Sequence, residues 1–245
     1  MSVPSRFNSL QSTTTEMIYI CTHKDFTPPF DISGMKIIHS KELQPYRNLD
    51  DKFWSELLHF FTVDETDKDS EVIGFCHYRR FYTFKGNVPS IEDGEVLTAT
   101  PLKFYMTNRI QYARCHNIED LELIEKIIDE DYGEYSEATK KFLDGHIFYP
   151  YNMIVMRRED FNVYIKFIKG VMNRYLDIVG TDIMKRLQDN KDKYIKNFYP
   201  NGTFDYQYRI GGYLCERLTN IFILKHFKKI SPQEIIITEK KYNKD

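Results

Sequence analysis

Short apolar runs alternate along this chain with longer segments of helical period, and that alternation constrains the fold more than any other feature of the sequence. Met17–Cys21, Met35–His39, the run opening at Val72, Glu95–Thr100, Asn152–Met156 and Glu234–Thr238 read as strands. Between them, Asp51–Val63 gathers Phe53, Trp54, Leu57, Leu58, Phe60 and Phe61 on one broad helical face. Residues 118–130 carry the period of an amphipathic helix with Asn117 as its N-cap. Residues 136–143, 159–175 and 205–227 complete the helical set, and Gly211-Gly212 must interrupt or tightly pack the last of these. Strands separated by helices predict an α/β fold with a mostly parallel central sheet flanked by helices. Residues 1–15, polar and without apolar period, read as a loose leader, and residues 16–245 as one domain.

Composition narrows the function. A net charge of -2 lacks the basic excess of a nucleic-acid binder. No apolar run is long enough to span a membrane, and the opening residues MSVPSRFNSLQSTTTE lack the apolar core of a secretory signal. Cys21, Cys76, Cys115 and Cys215 are far apart, without a paired CxxC spacing, so reduced thiols in a cytoplasmic protein are expected. The 18 Tyr and 18 Phe admit two readings, a ring-rich core or ring faces that stack sugars and bases.

Ligands of open α/β sheets bind at the carboxyl ends of strands. Two polar clusters fall there: Thr22-His23-Lys24 after the first strand, and His77-Tyr78-Arg79-Arg80 after the strand VIGFC. Arginine's planar fork suits phosphate oxygens, and a neighbouring His can add a hydrogen bond. Adjacent residues of an extended chain point to opposite faces, so one arginine could face a ligand while the other pairs with an acid. The phosphate loops GxGxxG and GxxxxGK[ST] are absent, as are HExxH and GxSxG. Asp67-Lys68-Asp69 and Asp129-Glu130-Asp131 have the spacing of a metal-holding pair, but the first precedes a strand and the second ends a helix. Both read as solvated loop acids. His146 leads toward the strand at Asn152, and Asp205 and Glu216 bracket the dense segment DYQYRIGGYLCE as candidate carboxylate bases.

Taken together, these segments resemble a family of glycosyltransferases counted among capsular polysaccharide synthesis proteins and catalogued as a domain of unknown function. The matching residues are Thr22-His23-Lys24, Phe53-Trp54-Ser55-Glu56-Leu57, Ile73 through Phe81, His116 with Asp120-Leu121, His146 before Asn152–Met156, and Gly212 through Leu218. The HYRR segment, His77 to Arg80, is the most specific of them. Leu58-His59-Phe60-Phe61 stands where that family commonly carries a tryptophan-rich stretch, and the tail Lys240-Lys241-Tyr242-Asn243-Lys244 is particular to this chain.

The resemblance implies a GT-A-like fold and a Leloir-type enzyme moving a sugar from a nucleotide-sugar donor, UDP-sugar favoured, to a glycan acceptor in polysaccharide synthesis. In GT-A enzymes a divalent ion, Mn or Mg, commonly stabilises the departing diphosphate; no Asp pair here is well placed to hold one. His77, Tyr78, Arg79 and Arg80 are then expected to replace or supplement the metal, with Thr22, His23 and Lys24 meeting the nucleotide. Asp205 or Glu216 would be the base of an inverting transfer, with His146 a further candidate. The alternative is a non-catalytic nucleotide-sugar or glycan-binding module of the same fold.

Overall fold

The computed structural model describes residues 15–195 and 202–238. All but Thr15 of the expected leader, and the Lys-rich tail, lie outside the described residues. The first half comprises β1 (Glu16–Thr22), β2 (Met35–His39), α1 (Asp51–Trp54), α2 (Leu57–Thr66), β3 (Val72–His77), β4 (Arg80–Tyr82), β5 (Glu95–Ala99), β6 (Leu102–Lys103), α3 (Asn108–Cys115) and α4 (Ile118–Asp131). There follow α5 (Ser136–Leu143), β7 (Ile147–Phe148), β8 (Ile154–Arg157), α6 (Arg158–Val179), α7 (Ile183–Asp189) and α8 (Lys191–Tyr194). The chain closes with α9 (Phe204–Gln207), α10 (Ile210–His226), β9 (Lys229–Gln233) and β10 (Ile235–Ile237).

Among the described residues the strands form an eight-stranded sheet and a separate two-stranded ribbon of β6 and β7. In the large sheet β1 lies between β2 and β3, parallel to both, and β5 runs parallel to β9. Between β3 and β5 lies β8, antiparallel to each. Six of its strands therefore run in one direction, while β8, near the centre, and β4 run in the other. Because Gly74 pairs with Val155 and Val72 with Arg157, the start of β8 lies at the carboxyl end of β3. At that same end β3 turns through Tyr78-Arg79 into β4, His77 pairing with Arg80.

Alternation along the strands builds a core on each face. Tyr19, Cys21, Ile73, Phe75, Ile154 and Met156 join the helices in the larger cluster. Ile18, Ile20, Val72, Cys76 and Val155 join the smaller one, covered by side chains such as Phe26, Phe30, Phe81 and Tyr82. The long helix α6 buries Phe161, Ile165, Ile168 and Met172 at helical spacing. Each such burial stabilises the fold by about 1.5–3 kcal/mol. Much of the aromatic excess is structural: Phe60 stacks on Phe75 at 3.6 Å, and Trp54, Phe53, Tyr164 and Tyr175 are wholly buried.

Several expectations from the sequence need local correction. The helix expected over Asp51–Val63 is broken at Ser55, whose φ of 53° ends α1 before α2 begins. The strand expected from Asn152 starts two residues later, since Tyr151 and Asn152 adopt φ of 74° and 51°. The last strand is preceded by another, Lys229–Gln233, hidden in the sequence by Pro232. Gly211-Gly212 does not interrupt α10. Both residues lie inside it, where a Cβ at Gly212 would sit 2.7 Å from Ser55 Cβ and one at Gly211 2.7 Å from Phe53 Cδ1. The pair is there for close approach, and the break at Ser55 is what it approaches.

Candidate active site

The carboxyl ends of β1 and β3 open into a cavity of about 740 Å³, a size typical of small-molecule sites. β1 supplies Thr22 and His23, and the β3–β4 hairpin supplies His77, Arg79 and Arg80. The α1–α2 break supplies Ser55 and Glu56, and the reversed strand's approach supplies Tyr151 and Asn152. Tyr206, Arg209, Gly212, Tyr213 and Glu216 come from α9, α10 and the turn between them.

The hairpin turn solves the problem of two adjacent arginines. Because Tyr78-Arg79 turns rather than continuing β3, both guanidinium-bearing residues line the cavity. Arg79 lies 5.1 Å over the ring of Tyr78, and Arg80 4.0 Å over that of Tyr151. The Nε atom of each is buried without a hydrogen-bond partner. Among the described residues neither guanidinium has a carboxylate within 4.0 Å. Two half-buried guanidiniums without carboxylate partners therefore line one space, an arrangement suited to an anion with several oxygens.

Three histidines surround them in neutral form. Burial, reinforced by Arg79 and Arg80, lowers His77 to about 3. Burial also lowers His59 to about 4, and His23 is lowered by burial and then by Lys24 and Arg79. His77 Nδ1 accepts from the backbone N–H of Arg79 at 3.3 Å, and its Nε2 lies 3.7 Å from Glu56 Oε1. The His23 ring meets Tyr78 edge-on at 5.2 Å.

Glu216 is held on both oxygens: the Tyr151 backbone N–H donates to Oε1 at 2.7 Å, and Arg217 Nη1 to Oε2 at 3.2 Å. Burial nevertheless raises its pKa, with Glu56 adding to the rise and Arg217, Tyr151 and Arg80 opposing it. A carboxyl whose proton affinity is raised in a cavity is equipped for general-base work. The approach that delivers Tyr151 is fixed to α10 from two further positions. Asn220 accepts from Tyr149 N–H at 2.8 Å and donates to Tyr149 O at 2.9 Å, while Thr219 donates to Asn152 Oδ1 at 2.9 Å. These bonds offset the cost of placing two successive non-glycine residues at positive φ.

The structure thus brings together Thr22, His23, His77, Arg79, Arg80 and Glu216, with Tyr78 supporting from behind. Lys24 does not line the cavity; its backbone N–H donates to Thr22 Oγ1 at 3.1 Å, and that hydroxyl donates back to Lys24 O. Asp205 is exposed and paired with Lys52 at 2.7 Å, outside the lining. His146 is exposed at the start of the β6–β7 ribbon, also outside it. Glu56, Tyr151, Tyr206, Arg209 and Tyr213 are lining residues that sequence reasoning did not select. In the sequence Glu56 stands out only as part of Phe53–Leu57.

Neither Asp-x-Asp pair reaches the cavity. Asp67 accepts from Tyr19 Oη at 2.6 Å and pairs with Arg158 at 3.1 Å. Burial pushes its carboxyl up, but hydrogen bonds from Ser70, Tyr19 and the backbone outweigh it and hold the group at about 2. Asp131 pairs with Arg174 at 3.5 Å. Among the described residues no three His, Cys, Asp or Glu side chains converge as a metal centre. No step below is routed through a divalent ion.

The sequence profile of the domain of unknown function DUF4422 matches residues 17–227. The chain belongs to that family. No curated protein matches it. Among solved structures, the WbbM bifunctional glycosyltransferase in its apo form superposes with a TM-score of 0.70 at 19% identity. The alignment covers 92% of the DUF4422 chain and 45% of that protein, so the chain spans less than half of its length. The shared feature is the fold, a mostly parallel sheet flanked by helices. No helix among the described residues is long and apolar enough to cross a membrane.

Proposed function

We propose that the chain is a cytoplasmic nucleotide-sugar-dependent glycosyltransferase, with UDP-sugars as the favoured donors and a glycan as acceptor. The observation that carries this reading is the pair of unpartnered guanidiniums, Arg79 and Arg80, converging on a cavity at the strand ends. The fold shared with a glycosyltransferase supports it.

The donor's diphosphate lies across Arg79 and Arg80, and its nucleoside extends toward Thr22 and His23. Glu216 takes the proton from an acceptor hydroxyl. The acceptor oxygen then attacks the anomeric carbon from the face opposite the diphosphate. The bond from that carbon to the phosphate oxygen breaks, and its electron pair leaves on the diphosphate, whose new charge the two arginines stabilise. Transfer inverts the anomeric configuration. Glu216 is preferred to Asp205 and His146 because it alone of the three lines the cavity.

A thermal-shift panel of nucleotide sugars tests the class and identifies the donor together, since a ligand that binds the native state raises its melting temperature. A shift with UDP-sugars, followed by release of uridine diphosphate on adding an acceptor, is the expected result. Absence of any nucleotide-dependent shift would refute it. Binding without hydrolysis or transfer would instead favour the non-catalytic module.

A further inference from the structure

Resting on the reading just given, we propose that Tyr206 and Tyr213 form a sugar-stacking wall that receives the acceptor glycan beside Glu216. Both rings line the cavity, both are partly exposed, and their centroids are 5.1 Å apart with planes inclined by 31°. Behind them stands His116, 3% exposed. Its ring is 5.7 Å from Tyr206 and inclined by only 2°, and 4.1 Å from Tyr213. Tyr112 backs His116 in turn at 4.8 Å. Burial, aided by the Arg217 charge, keeps the imidazole neutral. The wall is therefore the front of a stack of rings whose far end is buried, at a cavity that both tyrosines line. Aromatic surface of this kind suits the C–H face of a pyranose, while the exposed Arg209, 5.6 Å over Tyr213, can meet its hydroxyls; the Tyr213 hydroxyl itself is buried.

Position selects a pyranose over the donor's nucleobase. Tyr213 and Glu216 are one helical turn apart on α10, so the carboxylate stands beside the ring. A sugar on the wall would present a hydroxyl to the proposed base. A nucleobase, by contrast, is separated from the reacting carbon by a ribose and two phosphates, too far to lie next to the group that deprotonates the acceptor.

Saturation-transfer NMR of the full chain with methyl glucoside, galactoside, mannoside and N-acetylglucosaminide, in the presence of uridine diphosphate, tests the wall directly. The expected result is a signal to at least one glycoside that is lost in Tyr206→Ala and in Tyr213→Ala and kept in Tyr213→Phe. All three variants should retain the uridine diphosphate thermal shift of the unsubstituted chain. No signal from any glycoside in that chain overturns the proposal, as does a signal that persists in both alanine variants. Loss of the uridine diphosphate shift in the folded Tyr206→Ala variant also overturns it, by assigning the wall to the nucleobase. If the unsubstituted chain shows a ring-dependent glycoside signal but no response to nucleotide, the transferase reading fails and the sugar-binding wall stands.

Discussion

Replacing Arg80 by alanine should weaken donor binding by a calculable amount while leaving the protein folded. Arg80 has no carboxylate within 4.0 Å among the described residues, so its removal strands no buried ion-pair partner. The local loss is the stacking on Tyr151 at 4.0 Å, about 0.5–1 kcal/mol at a partly exposed position. The loss toward a diphosphate is larger. One hydrogen bond to a charged group contributes about 1.5–3 kcal/mol, which corresponds to about a 10- to 150-fold rise in Kd. Titration calorimetry with uridine diphosphate reads that rise. Arg80→Lys should fall between the two, since it keeps the charge and loses both the fork and the ring contact. Removing Arg80 also removes a cation that lowers the Glu216 pKa, so the acid limb of any pH–rate profile should move upward. Affinity in Arg80→Ala within about threefold of the original would refute the idea that this guanidinium grips the diphosphate.

Glu216→Gln should lower kcat by about 100-fold or more while uridine diphosphate still binds, and full turnover would remove Glu216 as the base. Asp205→Asn should leave both turnover and donor affinity near those of the unsubstituted chain, because Asp205 lies outside the cavity on an exposed pair with Lys52. Stability should fall as pH drops below 6.5 toward 4. His59 and His77 have folded-state pKa values below their ordinary value, so the unfolded chain binds more protons in that window. Urea melts across it should show the decline, and the slope should flatten in a His59→Gln, His77→Gln double variant. Gly212→Ala should destabilise the protein despite alanine's advantage of about 1 kcal/mol in a helix. Its Cβ would press on Ser55 Cβ at 2.7 Å, and overpacking of this kind costs about 1–3 kcal/mol. An unchanged urea midpoint would show that the contact yields.

What could be read from the sequence was what is local. The strands at Met17, Val72 and Glu95 and the helix capped by Asn117 announce themselves by period and cap, and the structure has them nearly at the expected bounds. The HYRR segment was found because a core strand ending in cations is conspicuous. The rest of the site depends on non-local geometry. Glu56 enters the cavity only because Ser55 breaks a helix that the apolar pattern draws as continuous. Tyr151 matters through a backbone N–H, which no residue identity reveals. Asp205 and Glu216 looked equivalent as carboxylates eleven positions apart; the start of α10 between them separates one into solvent and the other into the cavity. Tyr206 and Tyr213 were visible inside a dense segment, but the stack that aligns them runs through His116, far away in sequence.

The approach of α10 to the α1–α2 break bears on how the cavity can change shape. At Gly211 and Gly212 no side chain of the helix lies between it and Phe53 and Ser55, so on the α10 side the spacing is a property of the main chain. Helix backbone has no rotamer to give. The wall carrying Tyr213 and Glu216 and the floor carrying Ser55 and Glu56 must answer a ligand as one rigid piece. Whatever accommodation different ligands require then falls to the opposite side, where the Tyr78-Arg79 turn and the start of β4 carry Arg79 and Arg80 on flexible stems. On the proposed reading, the cavity has a fixed jaw that sets the distance to Glu216 and a movable one that meets the phosphates.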